Sequence, residues 1–405
     1  MRIVVLGADG YLGWPTALHL SARGHDVVAA DSVIRRRWDE ECGTGSLIPI
    51  ASMRQRVDAW HEVSRRSIEW HQIDVCDDAA LRVLIASARP DMVVHFAEQR
   101  SAPYSMISPR HGVETQVNNI VGSLNLLYAI RDLAPDCHLI KLGSMGEYGT
   151  PNIDIEEGFI EIEHRGRRDR MLYPKRPGSI YHLSKVHDSH NLEFACRVWG
   201  LRATDLNQGV VYGAATDETA LDPRLGTRFD YDGIWGTVLN RFCVQAAVGE
   251  PLSVHGRGGQ TRGVLDIRDT VRCIELEALH PPAAGEYRVF NQFTEQFSVL
   301  ELAERVVGAR AAKGLATEIR HVPNPRDELE EHYYNAVHES ILDLGLEPHH
   351  LSDTLIENVI GTVEENVARV RRETLDARVD WRRGGGIYTR RAAEVVMASP
   401  VPALV

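Results

Sequence analysis

Short apolar runs alternate along this chain with longer stretches in which apolar residues recur every three or four positions. Ile3-Val4-Val5-Leu6 is the first run, and Met92–Ala97, Cys137–Leu142 and Leu201–Leu206 are of the same type. A run of this length without polar alternation fits a strand buried on both faces, as in a parallel sheet. Helical periodicity follows the first run as far as Arg23, returns over Val117–Ile130 and begins again near Tyr181. His25–Ala30 reads as the second strand, and Ile73-Asp74-Val75-Cys76-Asp77 closes another. Strands alternating with helices predict an α/β fold: a doubly wound parallel sheet with ligands at the carboxyl ends of its strands.

Two stretches depart from that pattern. Residues 32–67 are too long for a strand–helix link and read as an insertion with a helical patch near Met53–Val63. After Leu206 the alternation breaks up. Helices near Val238–Val248 and Ser298–Ala312 alternate with short strands at Leu252–His255, Val264–Ile267 and Tyr287–Asn291, which suits a smaller C-terminal substrate lobe. The expected organisation is a Rossmann domain over 1–208, an interleaved lobe over 209–376 ending in an amphipathic helix from about 351, and a tail over 377–405. The tail lacks periodicity and is expected to be flexible or a subunit contact.

Composition narrows the class. A chain of 405 residues, 43% hydrophobic, suffices for one large α/β domain and a lobe. A net charge of −12 argues against a nucleic-acid partner. The six cysteines occur singly, with no C-x-x-C and no zinc spacing, so a reducing compartment and no metal are expected. No apolar run has the length of a membrane span, and the chain opens directly on a strand, so a cytoplasmic protein without a membrane partner is expected.

The candidate chemistry starts at the first strand. Gly7-Ala8-Asp9-Gly10-Tyr11-Leu12-Gly13 lies between strand and helix, where a glycine turn lets backbone approach a pyrophosphate. Gly7, Gly10, Tyr11 and Gly13 are therefore candidate cofactor residues. Asp31 ends the second strand about eighteen residues after Gly13, the place for a carboxylate on the adenosine ribose. It would repel a 2′-phosphate and favours NAD, although Arg35, Arg36 and Arg37 follow closely. Arg35, Asp74 (toward the adenine amino group), Val75 and Asn119 complete the candidate cofactor set.

Tyr181 and Lys185 stand four apart, one turn of helix, in a chain with only four lysines among its 45 Lys and Arg residues. An ammonium beside a phenol favours the phenolate, so Tyr181 is expected to carry a proton near neutral pH. Ser144 follows a strand end and can reach the same edge of the sheet. Hydroxyl, phenol and lysine together suit hydride transfer at a hydroxyl carbon.

These features, taken in order, resemble the extended short-chain dehydrogenases that act on nucleotide sugars. Longer strings resemble the UDP-sulfoquinovose synthase family: Glu98–Met106, Met145–Gly158, Tyr181–Asn191, Asp205–Gly213, Gly259–Gly263, Phe290–Phe297 and Glu331–Asn335. The resemblance covers roughly residues 1–360 and departs at Ser144, where that family usually has threonine.

It implies tightly bound NAD, UDP-glucose and sulfite as substrates, and a homodimer. It also implies oxidation at carbon 4, loss of water across carbons 5 and 6, sulfite addition and hydride return. Related 4,6-dehydratases carry an Asp-Glu pair after the hydroxyl residue, and here Met145 and Gly146 stand there. Glu147 and His182 are then the candidate bases for the middle step. Arg100 and Gln208 are candidates for the sulfite anion; Asn207, Gln260, Arg262 and Arg326 are candidates for the sugar and diphosphate. Two other enzyme readings stay open, a dehydratase acting on another sugar nucleotide or nucleoside and a UDP-sugar 4-epimerase. So does a non-catalytic NAD-binding sensor.

Overall fold

The computed structural model describes residues 1–383 except 327 and 330. Seven parallel strands form the main sheet in the order Tyr287–Gln292, Arg202–Gln208, His138–Ser144, Met92–His95, Arg2–Leu6, Asp26–Asp31 and Ile68–Gln72. Arg2–Leu6 shows why its apolar run is continuous. Ile3 and Val5 enter the core on one face, with Trp14, Leu18 and Trp60, while Val4 and Leu6 enter the other, with Leu81, Leu126 and Ile130.

Tyr287–Gln292, expected among the strands of the lobe, instead extends this sheet by pairing with Arg202–Gln208. The long excursion before it hid the return, because periodicity carries no record of which sheet a strand joins. The inserted stretch forms two helices, Ile34–Cys42 and Met53–Ser64. Ser52 and Gln55 close a capping box at the start of the second, whose Met53, Ala59 and Trp60 pack into the main core.

The lobe gathers three helices, Val238–Ala247, Val299–Ala312 and Asp353–Glu365, over a core of their own. The closing helix stops at Glu365 and two short turns carry the chain on. A hairpin, Phe159–His164 with Arg167–Leu172, stands apart from both sheets.

The segment from Ala377 to Arg383 is not loose. Val379 is buried with Trp38, Tyr104 and Trp235, and the Trp381 N–H donates to the Pro325 carbonyl at 3.0 Å. The rest of the expected tail lies outside the described residues. Among the described residues no helix is long and apolar enough to cross a membrane.

Candidate active site

A cavity of about 1070 Å³ runs along the carboxyl edge of the main sheet and under the lobe. One end is the glycine turn. Gly7 adopts φ +83°, and a Cβ there would lie 2.5 Å from the Phe96 carbonyl carbon. A Cβ on Gly13 would meet the Gly7 oxygen at 2.1 Å, so the helix can start this close to the strand only on glycine. Gly7, Gly10, Tyr11 and Gly13 all line the cavity, and the Tyr11 hydroxyl donates to the Gly213 carbonyl at 2.7 Å, joining turn to lobe.

Asp31 also lines it and accepts the backbone N–H groups of Asp9 (2.9 Å) and Val33 (2.6 Å). Burial, with the Asp9 carboxylate nearby, pushes its carboxyl up to about 6. Asp74 and Val75 line the same end. Arg35 does too, but its charge is already taken: it pairs with Asp39 and Asp230 and lies 3.9 Å over the Trp235 ring.

Ser144, Tyr181, His182 and Lys185 all line the cavity, with the Lys185 ammonium 5.8 Å from the Tyr181 ring centre and the Tyr181 and His182 rings 5.0 Å apart. Ser179 caps the helix Ile180–Trp199 by accepting the His182 N–H at 3.1 Å, which sets Tyr181 and Lys185 on its inner face. The Lys185 ammonium donates to the Leu142 carbonyl at 2.6 Å and forms an ion pair with Glu98. Its burial lowers the ammonium to about 8, against the opposing pull of Asp188 and Asp205. The Ser144 hydroxyl accepts the Gly146 N–H at 3.1 Å, leaving its own proton free to be donated.

Tyr181 departs from expectation in direction. Burial, then the Glu147 carboxylate, push the phenol up, and Lys141 and Arg100 offset this only in part. Lys185 is drawn instead to Glu98.

The structure places three candidates outside the cavity lining. Glu147 does not line the cavity. It is fully buried beneath it, accepting from the Ser144 N–H (2.8 Å), the Lys175 ammonium (2.5 Å) and the Ser189 hydroxyl (3.0 Å). A carboxylate so engaged fastens the turn beneath the cavity. Asn119 is likewise inside, on a π turn at Val117–Val121, tying the Gln99 backbone to the Ser184 hydroxyl at 2.8–3.0 Å. Its neighbour Asn118 faces the cavity. Asn207 points away from the cavity and donates to the Tyr148 hydroxyl at 2.7 Å, as strand alternation requires next to Gln208.

His182 is the base candidate that remains in the cavity. A Cβ on Gly146 would sit 2.2 Å from its Nε2, so the imidazole occupies the space that glycine leaves. Burial, then the Arg326 and Arg262 cations, lower it to about 3, and its Nδ1 lies 3.0 Å from the Ser179 hydroxyl. Arg100, Gln208, Gln260, Arg262 and Arg326 line the remaining wall. Arg100 pairs with Asp230, and Arg262 with Glu328.

The sequence reading missed two features. Glu98, directly after a strand end, touches Lys185 and keeps a buried Oε1 without a partner. Its place at the carboxyl edge was the available signal. Ala377, Val379, Trp381 and Arg382 form part of the cavity wall, and no periodicity announced them.

The chain belongs to the NAD dependent epimerase/dehydratase family, whose model matches residues 3–291. It is an NAD-dependent enzyme class. Within it, the chain is 56% identical to the chloroplastic UDP-sulfoquinovose synthase of Spinacia oleracea over 384 residues, 95% of this chain and 80% of that protein. It is 44% identical to the UDP-sulfoquinovose synthase of Sulfolobus acidocaldarius over 349 residues, 86% of this chain and 88% of that one. Among solved structures, the UDP-glucose 4-epimerase of Thermotoga maritima with UDP-glucose matches with a TM-score of 0.66 over 91% of this chain and all of that one. At 20% identity that match speaks to the fold alone.

Proposed function

We propose that this chain makes UDP-sulfoquinovose from UDP-glucose and sulfite; two relatives 56% and 44% identical to it are named UDP-sulfoquinovose synthase. The observation that carries the reading is the meeting of Ser144, Tyr181 and Lys185 in one cavity with His182 over Gly146, where a dehydratase-like acid pair would otherwise stand.

The residues present fit NAD. The glycine turn would take the pyrophosphate, Asp31 the adenosine ribose, and Lys185 with the orphaned Glu98 Oε1 the second ribose. Bound there, NAD supplies a hydride acceptor and donor for carbon 4. Tyr181 removes the proton from the carbon 4 hydroxyl while Ser144 donates to the same oxygen. The ketone acidifies the hydrogen at carbon 5, which His182 takes and hands to the departing carbon 6 hydroxyl, so that it leaves as water. Arg100 and Gln208 hold bisulfite, whose sulfur adds to carbon 6 as its proton goes to carbon 5, and Tyr181 returns its proton to the carbon 4 oxygen as the hydride returns to carbon 4. Met145 contributes no proton chemistry, which keeps a competing carboxylate away from an anionic nucleophile.

Two further expectations go with this reading. Val113, Val117 and Val121 are exposed four residues apart, on elements that pack against the Ile180–Trp199 helix, which itself exposes Phe194 and Val198, and such apolar exposure supports a homodimer. All six cysteines are unpaired, which supports a reducing, cytoplasmic setting.

The test is to incubate the purified protein and NAD with UDP-glucose, with and without sulfite, and follow products by mass spectrometry. The expected product is a UDP-hexose with one added sulfonate, only when sulfite is present. Formation of UDP-galactose, or of a dehydrated sugar that ignores sulfite, refutes the assignment.

A further inference from the structure

Asp188 takes no part in the mechanism above, yet it lies one turn beyond Lys185 on the inner face of the helix Ile180–Trp199. It is fully buried, and neither carboxylate oxygen has a hydrogen bond of normal geometry. Asp205 shows what a fastening carboxylate looks like in the same core. It accepts from the Ser189 hydroxyl at 2.6 Å and from the Tyr287 hydroxyl at 2.7 Å. A buried carboxylate without such bonds is unfavourable, and only nearby positive charge can offset that.

The surroundings supply it. The charged and titratable groups packed about this part of the helix are Lys185 itself, Lys141 and His95 on the strands beneath, Asp205, and Glu147 after Ser144. The Lys141 ammonium donates to the Lys185 carbonyl at 3.4 Å, which sets a second cation against the turn that carries Asp188. His95 is lowered to about 3, first by burial and then by Lys185 and Lys141, so it stays neutral and adds no charge. Four buried carboxylates, Glu98, Glu147, Asp188 and Asp205, thus face the buried ammoniums of Lys141, Lys175 and Lys185. Asp188 is the one in excess.

That excess bears on Lys185. Burial lowers its ammonium to about 8, with Asp188 and then Asp205 pulling the other way. An ammonium so placed keeps its charge at neutral pH by a narrow margin, and loss of a neighbouring anion would move it lower. Asp188 is pushed up to about 6 by burial, against the pull of Lys141 and Lys185, and so is still ionised at neutral pH. The Lys185 ammonium lies 5.8 Å from the Tyr181 ring centre, close enough for its charge to favour the phenolate.

We propose that Asp188 is a positioning residue for proton transfer at Tyr181, a buried counter-charge that keeps Lys185 charged from beneath while Glu98 meets it from the cavity side. The inference rests on Tyr181 as the proton carrier and adds what holds its neighbour in the active state.

The chain's four lysines make the test direct, because protein labelled at the lysine ε-carbon gives four NMR signals. Wild type, Asp188→Asn, Asp188→Ser and Asp188→Glu are titrated with NAD bound, and the pH profile of turnover is recorded for each. Asp188→Asn should lower the Lys185 titration by about one pH unit, a tenfold change in proton affinity, and leave Lys313 unmoved. The alkaline limb of turnover should move down with it. Asp188→Glu should recover part of the shift, and Asp188→Ser carries the same prediction should the amide variant not fold. A Lys185 titration within about 0.2 unit of wild type overturns the proposal. So does an equal shift of Lys175, which would make Asp188 a support of the whole core. A Lys185 that titrates lower while the alkaline limb stays in place overturns the Tyr181 reading, and the role of Asp188 with it.

Discussion

The two ends of the reacting half of the cavity handle charge in opposite ways. Around Tyr181 every buried lysine has its carboxylate: Lys185 has Glu98, Lys175 has Glu147, and Lys141 lies 3.6 Å from Asp205. At the diphosphate candidates Arg262 has Glu328, but Arg326 has none among the described residues and rests 5.1 Å from the Trp381 ring. The first end acts on sugar hydroxyls that bring no charge, and its lysines are paired before they arrive, while sulfite, the anion it also takes, is left to Arg100 and Gln208. The second meets an anion and is completed by it. A catalytic centre and a binding seat can thus be told apart by whether their buried ions already balance.

The largest effect should come from removing the proton carrier. Tyr181→Phe is expected to lower turnover about a thousandfold with NAD still bound, measured by product mass and by cofactor absorbance. Retained turnover would remove Tyr181 from its role.

Next is Glu147→Gln, which leaves Lys175 buried without a carboxylate. It should cost about 3 kcal/mol of stability, read from denaturant unfolding, while turnover per folded molecule changes by less than about tenfold. A loss as large as that of Tyr181→Phe in well-folded protein would make Glu147 part of the chemistry and break the contrast.

The smallest effect links the two ends. His182 is held low at about 3, first by burial and then by Arg326 and Arg262. Cations disfavour the imidazolium, so neutralising them with UDP must raise this value, while burial keeps it below the ordinary histidine range. The expected result is an upward shift of the His182 titration on adding UDP, followed by NMR of labelled histidine. An unchanged titration would separate His182 from the diphosphate.

Much of the site was legible because its chemistry is tied to local geometry. Gly7–Gly13 must be glycine-rich where strand turns into helix, Asp31 must follow the second strand, and Tyr181 and Lys185 must be one turn apart. What escaped depended on direction rather than position. Glu147 follows Ser144 closely enough to serve it, but a capping box turns its side chain inward. Asn119 is rotated inside by one π turn, and Asn207 by the two-residue period of its strand. Asp188 was hidden by its setting, since an aspartate among polar helix residues reads as solvated and only burial without a partner sets one apart. Glu98 sat within a string recognised for its resemblance and was given no role of its own.

The wall made by Ala377–Arg382 has a consequence for how the protein is born. Trp38 and Val379 share one small core, so a surface begun near the start of the chain is closed by residues near its end. While the helix Asp353–Glu365 is still inside the ribosome, the glycine turn and most of the sheet are already out, yet Arg326 has no Trp381 to rest on. A nascent chain at that stage can shape the dinucleotide end of its cavity but not the far wall. Ligand capture at that wall is therefore reserved for the finished polypeptide.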